Sequence, residues 1–214
     1  VAARIGILGG TFNPPHLGHL VCAQEARLQL GLERVMLIPA RLPPHKPVEE
    51  EPGIEHRLRM CRLAVAGDER LEVSDLEARR PGTSYTVDTL EELHALQPDS
   101  ELHLIVGGDV AAGFASWRDP ERVLELATLA VAERPGTGRS DIEAALRRVP
   151  GGERARFFAM PEIGISSTML RDRARRGICT RYLMPDRVRS YIDQHRLYGP
   201  ARPTEQACAP RRVR

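Results

Sequence analysis

The sequence lacks any apolar run long enough to cross a bilayer. A spanning helix needs roughly 20 consecutive apolar residues, and nothing in the 214-residue chain approaches that. Near the N-terminus a single Arg precedes an apolar run that stops at Gly9. That pattern is too short and too glycine-broken for a secretory signal, so a cytoplasmic location is expected. Cysteine is scarce: Cys22, Cys61, Cys179 and Cys208 are scattered, and no CxxC occurs. A zinc site built from them is excluded on spacing, and four free thiols are expected. Internal repeats are absent. So are two glycine-rich phosphate motifs, since there is no GxGxxG and no Gly-rich loop ending in Lys-Ser/Thr.

What is present is an ordinary globular composition with 42% hydrophobic and 28% charged residues. The net charge of +2 is unevenly spread, because the chain from Arg171 onward carries twelve Arg against four acidic residues. A basic end can bind nucleic acid, solvate a helix or hold phosphates. Nucleic acid is disfavoured, because aromatics are sparse there and the Arg residues alternate with apolar helix positions.

Short apolar runs alternate with amphipathic stretches. Strands are predicted at Arg4–Leu8, Arg34–Pro39, Leu71–Ser74, Leu102–Val106, Thr128–Ala132 and Ala155–Ala159. Helices are predicted at His16–Leu30, Ile54–Ala66, Thr86–Leu96, Pro120–Leu126 and Ser140–Val149, with two more near Thr168–Arg176 and Pro185–His195. This alternation implies an α/β class: one Rossmann-like domain over 1–200, with a mainly parallel sheet and a small helical C-terminal part. The proline-rich stretch Ala40–Gly53 reads as a functional loop after a strand. Residues 201–214 show no apolar periodicity and are expected to be a disordered tail.

The segment GILGGTFNPPHLGH, Gly6–His19, carries the most chemistry. In a parallel sheet, ligands gather beyond the carboxyl ends of strands. Gly9 and Gly10 allow a sharp turn and a close approach to a ligand. Asn13 reads as the cap of the next helix and Pro14 as its first residue. The helix N-terminus favours an anion, and His16 and His19 project from one face of its first turns. A phosphate site with imidazole donors is the leading reading. Surface histidines on a capped helix and a two-His zinc site are the alternatives.

GGTFNPPHLGH resembles the HxGH signature of the nucleotidyltransferase superfamily, and GISSTMLRDRARRG (Gly164–Gly177) resembles its ISSTxxR element. PPHK (Pro43–Lys46), SYTVDTL (Ser84–Leu90), GGD (Gly107–Asp109), SWRD (Ser116–Asp119), ERPG (Glu133–Gly136) and YLMPDRVRSYIDQHRLYG (Tyr182–Gly199) follow in the order of the bacterial nicotinate mononucleotide adenylyltransferases. The resemblance covers nearly the whole chain except the tail. Departures are Gly108 for a common Ala, Cys179 for Ser, and Met169–Leu170 for a more polar or Ile-containing pair.

The resemblance implies adenylyl transfer from ATP to nicotinate mononucleotide, giving deamido-NAD and pyrophosphate. It implies catalytic roles for His16, His19 and Arg171. Gly9, Gly10, Thr11, Phe12, Gly107, Asp109, Ser166, Ser167 and Thr168 would bind ATP. Lys46, Ser84, Tyr85, Thr86, Trp117 and Arg134 would bind the acceptor. Mg²⁺ would be held mainly by phosphates, with no dedicated protein ligands. The implied partners are these two small molecules, with no membrane, and homo-oligomerisation is left open. The rival readings are another adenylyl- or cytidylyltransferase of the superfamily, or a non-catalytic nucleotide- or RNA-binding module.

Overall fold

A computed structural model describes residues 2–44, 52–133 and 138–199. Six strands form one sheet: β1 (Arg4–Gly10), β2 (Arg34–Pro39), β3 (Leu71–Val73), β4 (Glu101–Gly107), β5 (Thr128–Glu133) and β6 (Arg156–Ala159). Their order is β3-β2-β1-β4-β5-β6 and every pairing is parallel. Parallel neighbours need crossovers, and the helices supply them. These are α1 (Leu17–Leu30), α2 (Ile54–Val65), α3 (Leu76–Arg79), α4 (Thr86–Leu96), α5 (Gly108–Ala112), α6 (Pro120–Leu126), α7 (Arg139–Leu146), α8 (Ser167–Arg175) and α9 (Asp186–Gln194).

Alternation along the strands feeds two cores. Ile5, Ile7, Leu104, Val106 and Val131 face one side, where Val87, Leu90 and Leu93 of α4 pack on them. Leu8, Val35, Leu37, Ile105 and Ala130 face the other, against Ala23 and Ala26 of α1. A sheet buried on both faces explains why its strands read as continuous apolar runs. A third cluster joins Met60 of α2 to Leu170 of α8 and to Met184, Val188 and Ile192 around α9. The small helical C-terminal part is thus docked on α2. No helix of the described residues is long and apolar enough to cross a membrane.

Strand order reverses between β1 and β4, so a crevice opens beyond their carboxyl ends. Gly9 and Gly10 end β1 and Gly107 ends β4, which sets the position of the site. The sharp turn expected at Gly9–Gly10 does not occur, because both glycines stay in the strand, in register with Ile38 and Pro39 of β2.

Three further expectations need correction. Asn13 does not cap α1 and Pro14 does not begin it. The helix starts at Leu17 with His16 in the extended cap position, at φ −144° and ψ 173°. Asn13 is instead buried, and its side-chain oxygen accepts from the Tyr198 hydroxyl. Pro14 and Pro15 delay the helix, because a residue before proline is pushed out of the helical region. Cys179 is disulfide-bonded rather than a free thiol, while Cys22 and Cys61 form no disulfide. Cysteine spacing alone does not reveal such pairing. The sequence pattern does not predict the short helices α3 and α5. The tail 201–214 lies outside the described residues.

Candidate active site

Two cavities meet at the crevice. The first, of about 680 Å³, is lined by Thr11, Phe12, His16, His19, Gly107, Asp109, Ser166, Ser167, Thr168 and Arg171. The turn after β1, the start of α5 and the N-terminus of α8 thus converge, although up to 160 residues separate them in sequence.

The two imidazoles are stacked, with centroids 3.8 Å apart and planes at 27°. The Phe12 ring meets His19 edge-on at 4.9 Å. Phe12 is buried with φ at +49°, a left-handed conformation uncommon outside glycine that here turns its ring under the histidines. The backbone N–H of His16 donates to His19 Nδ1 at 3.2 Å. Nδ1 is therefore the acceptor nitrogen of neutral His19, and Nε2 carries the proton. Burial lowers His16 to about 4. Burial, and then the charge of His16, lower His19 to about 3. Both rings are neutral near pH 7. They are hydrogen-bond donors awaiting an anion rather than standing cations.

At α8 the Ser166 hydroxyl accepts from the Met169 N–H at 3.2 Å and caps the helix. The Ser167 hydroxyl donates to the Pro14 carbonyl at 2.8 Å. Arg171 Nη1 donates to the Asn13 carbonyl at 2.9 Å, and Nη2 lies 3.5 Å from Thr168 Oγ1. These bonds tie α8 to the loop before His16. The Ser167 hydroxyl proton is thereby occupied, which leaves the first N–H groups of α8 as the donors facing the cavity.

The second cavity, of about 340 Å³, holds Gly9, Gly10, Ser84, Tyr85, Thr86 and Trp117. Gly9 and Gly10, expected beside ATP, therefore line this space. A Cβ on Gly9 would meet nothing within 4 Å, so the missing side chain keeps the space open. Trp117 packs on Phe114 with centroids 5.2 Å apart. Thr11 and Gly107 line both cavities. At Gly107 a Cβ would lie 2.7 Å from Asp109 Oδ1, so glycine lets that carboxylate fold over the strand end.

Ser84 is less available than expected. Its N–H donates to the Leu42 carbonyl at 2.9 Å, and its hydroxyl accepts from the Arg41 N–H at 3.0 Å. The free donors are those of the first turn of α4, which no side chain caps. Lys46 and Arg134 lie outside the described residues.

Sequence reasoning missed Glu77, Thr89 and Arg118, which also line this cavity. Glu77 is buried and accepts from the Thr89 hydroxyl at 2.9 Å. Burial raises its carboxyl above the ordinary range, against hydrogen bonds from Thr89 and Ser84. The Arg118 guanidinium lies over the Tyr85 ring at 4.7 Å and pairs with Asp88 at 3.6 Å. Arg118 sits inside SWRD and could have been singled out there. Glu77 looks like one charge in a charged stretch, and nothing local marks it as buried.

Comparison with known proteins fits this geometry. Residues 7–173 match the cytidylyltransferase-like family model. A protein of Salinibacter ruber named "Probable nicotinate-nucleotide adenylyltransferase" is 41% identical over 196 residues, which span 92% of this chain and 98% of that one. A Synechococcus protein of the same name is 44% identical over 197 residues, covering 91% of this chain and 94% of its own. The chain belongs to the nicotinate-nucleotide adenylyltransferase family. Among solved structures, the Plasmodium falciparum nicotinic acid mononucleotide adenylyltransferase complexed with NaAD superposes with a TM-score of 0.72. It is 19% identical and covers 92% of this chain and 97% of that one. At that identity it supports the fold, a Rossmann-like α/β domain, as the strand pattern implied.

Proposed function

We propose that the chain transfers the adenylyl group of ATP to nicotinate mononucleotide, giving deamido-NAD and pyrophosphate. The observation that carries this is the meeting of two cavities of different character at Thr11 and Gly107. One offers imidazoles, a helix N-terminus and Arg171, which suits a triphosphate. The other offers Trp117, Tyr85 and the uncapped start of α4, which suits a flat ring bearing a carboxylate.

A phosphate oxygen of the mononucleotide attacks the α-phosphorus of ATP. The bond from that phosphorus to the bridging oxygen breaks, and the electron pair leaves on pyrophosphate. The attacking oxygen is already ionised, so no general base is needed. Catalysis reduces to alignment and neutralisation of charge. In this reading His16, the Nε2–H of His19, the first N–H groups of α8 and Arg171 hold the α-phosphate and the leaving pyrophosphate. Asp109 holds the adenosine ribose. Among the described residues no group of three His, Cys, Asp or Glu is placed to hold a metal ion. The donor set fits a Mg²⁺ ion held by triphosphate oxygens and water, which would add charge neutralisation.

The acceptor pocket makes a test. N–H donors at the start of α4 suit a carboxylate with two acceptor oxygens. Nicotinamide would present them with an NH₂ that only donates. One buried donor left unpaired costs roughly 1–3 kcal/mol, or about 5- to 150-fold. Nicotinate mononucleotide should be preferred in kcat/KM by that order, read by pyrophosphate release with each acceptor. Equal use of both would overturn the pocket assignment. Trp117 lines the second cavity and not the first, so Trp117→Ala should weaken the acceptor about 10-fold through lost stacking. ATP affinity should hold. If ATP weakens instead, the two pockets are exchanged.

A further inference from the structure

The wall between the two cavities is fixed by a residue that belongs to neither motif. Arg57, on α2, has no exposed surface. A guanidinium withdrawn from water is costly unless its donors are met. Arg57 Nη1 donates to the Thr11 carbonyl at 3.0 Å and to the Ala40 carbonyl at 2.7 Å, and Nη2 donates to the Arg41 carbonyl at 3.2 Å. Thr11 lies in the turn after β1 and lines both cavities, while Ala40 follows β2 and lines the second. The loop after β2 is gripped from its other side as well. The Arg41 and Leu42 N–H groups approach Ser84 Oγ at 3.0 and 3.4 Å.

We propose that Arg57 is a positioning residue that locks the nucleotide turn to the acceptor loop. It sets the line of attack between the two bound phosphates without touching either. This rests on the adenylyl-transfer reading above. The geometry asks for arginine in particular, because one planar fork meets three carbonyls on two segments. Lysine would bring a point charge with no such fork, and an apolar side chain would leave all three carbonyls short of a donor. The triphosphate groups on α8 and at His16 receive none of these three bonds. Loss of Arg57 should therefore misalign the reactants more than it weakens ATP. A misplacement of about 1 Å can cost on the order of 100-fold in rate.

The test compares Arg57→Lys and Arg57→Met with the wild type in full-length protein. Its readouts are kcat with both substrates saturating, ATP binding by calorimetry, and amide hydrogen exchange. Arg57→Met should lose about 100-fold in kcat, and Arg57→Lys about 10-fold or more, both with ATP affinity retained. Exchange should quicken at the Arg41 and Leu42 amides while β1 and β4 stay protected. Unchanged kcat in folded Arg57→Lys would overturn the proposal, as would a parallel loss of kcat and ATP affinity. Failure of Arg57→Lys to fold would assign the residue to stability and overturn it too. If the wild type releases no pyrophosphate with nicotinate mononucleotide, the adenylyl-transfer reading fails instead. The exchange measurement then decides the locking role by itself.

Discussion

Replacing His16 by alanine is expected to lower turnover by at least ~100-fold, the scale of losing one preorganised donor to developing transition-state charge. The ring is buried at the cap position of α1. It faces the same cavity as Arg171 and the start of α8. His19→Ala should cost less in direct charge stabilisation. It removes one imidazole and also the acceptor for the His16 N–H. The fold should persist in both variants, because the two cores of the sheet do not include either ring. The check is single-turnover pyrophosphate release alongside a thermal melt. Near-normal turnover in a folded His16→Ala protein would remove the catalytic assignment, and a collapsed melt would move the residue from chemistry to architecture.

Much of this fold is legible in the chain because parallel strands buried on both faces are apolar runs bounded by turns. β2 (Arg34–Pro39), α4 (Thr86–Leu96) and α6 (Pro120–Leu126) fall where the pattern puts them. α3 and α5 have four and five residues, too few to show a helical period. The helix α1 begins within one residue of the expected His16, but its cap is not Asn13: an Asn before Pro resembles a cap, while the long-range bond from Tyr198 that takes up its side chain is invisible locally. The site divides the same way. His16, His19, Ser166–Thr168 and Arg171 stand in motifs whose local pattern already implies anion binding. Arg57 does not. On α2 it is one of several arginines in an amphipathic stretch, and only the approach of the β1 and β2 loops reveals it as the buried one. Protonation state is equally hidden, since it depends on how deeply the two rings are buried, which sequence spacing does not specify.

That burial leads to an expected acid instability. The unfolded chain holds histidines near 6.5, whereas the folded protein holds His16 near 4 and His19 near 3. Between those values the unfolded state binds more protons than the native state, so stability falls as pH falls. The loss begins near pH 6.5 and is complete only below about 4 for His16 and about 3 for His19. From pH 7 to pH 5 each ring should cost on the order of 2 kcal/mol. His103, also lowered by burial, acts in the same direction. Glu77 and Asp193, both raised by burial, oppose it. The contribution of the pair is therefore read by difference: urea unfolding of the wild type and of His16→Asn/His19→Asn at pH 7, 6 and 5. The wild type should lose roughly 4 kcal/mol more than the double variant over that span. Parallel stability curves for the two proteins would mean that the histidines titrate alike in both states, and the neutral, stacked pair would have to be abandoned.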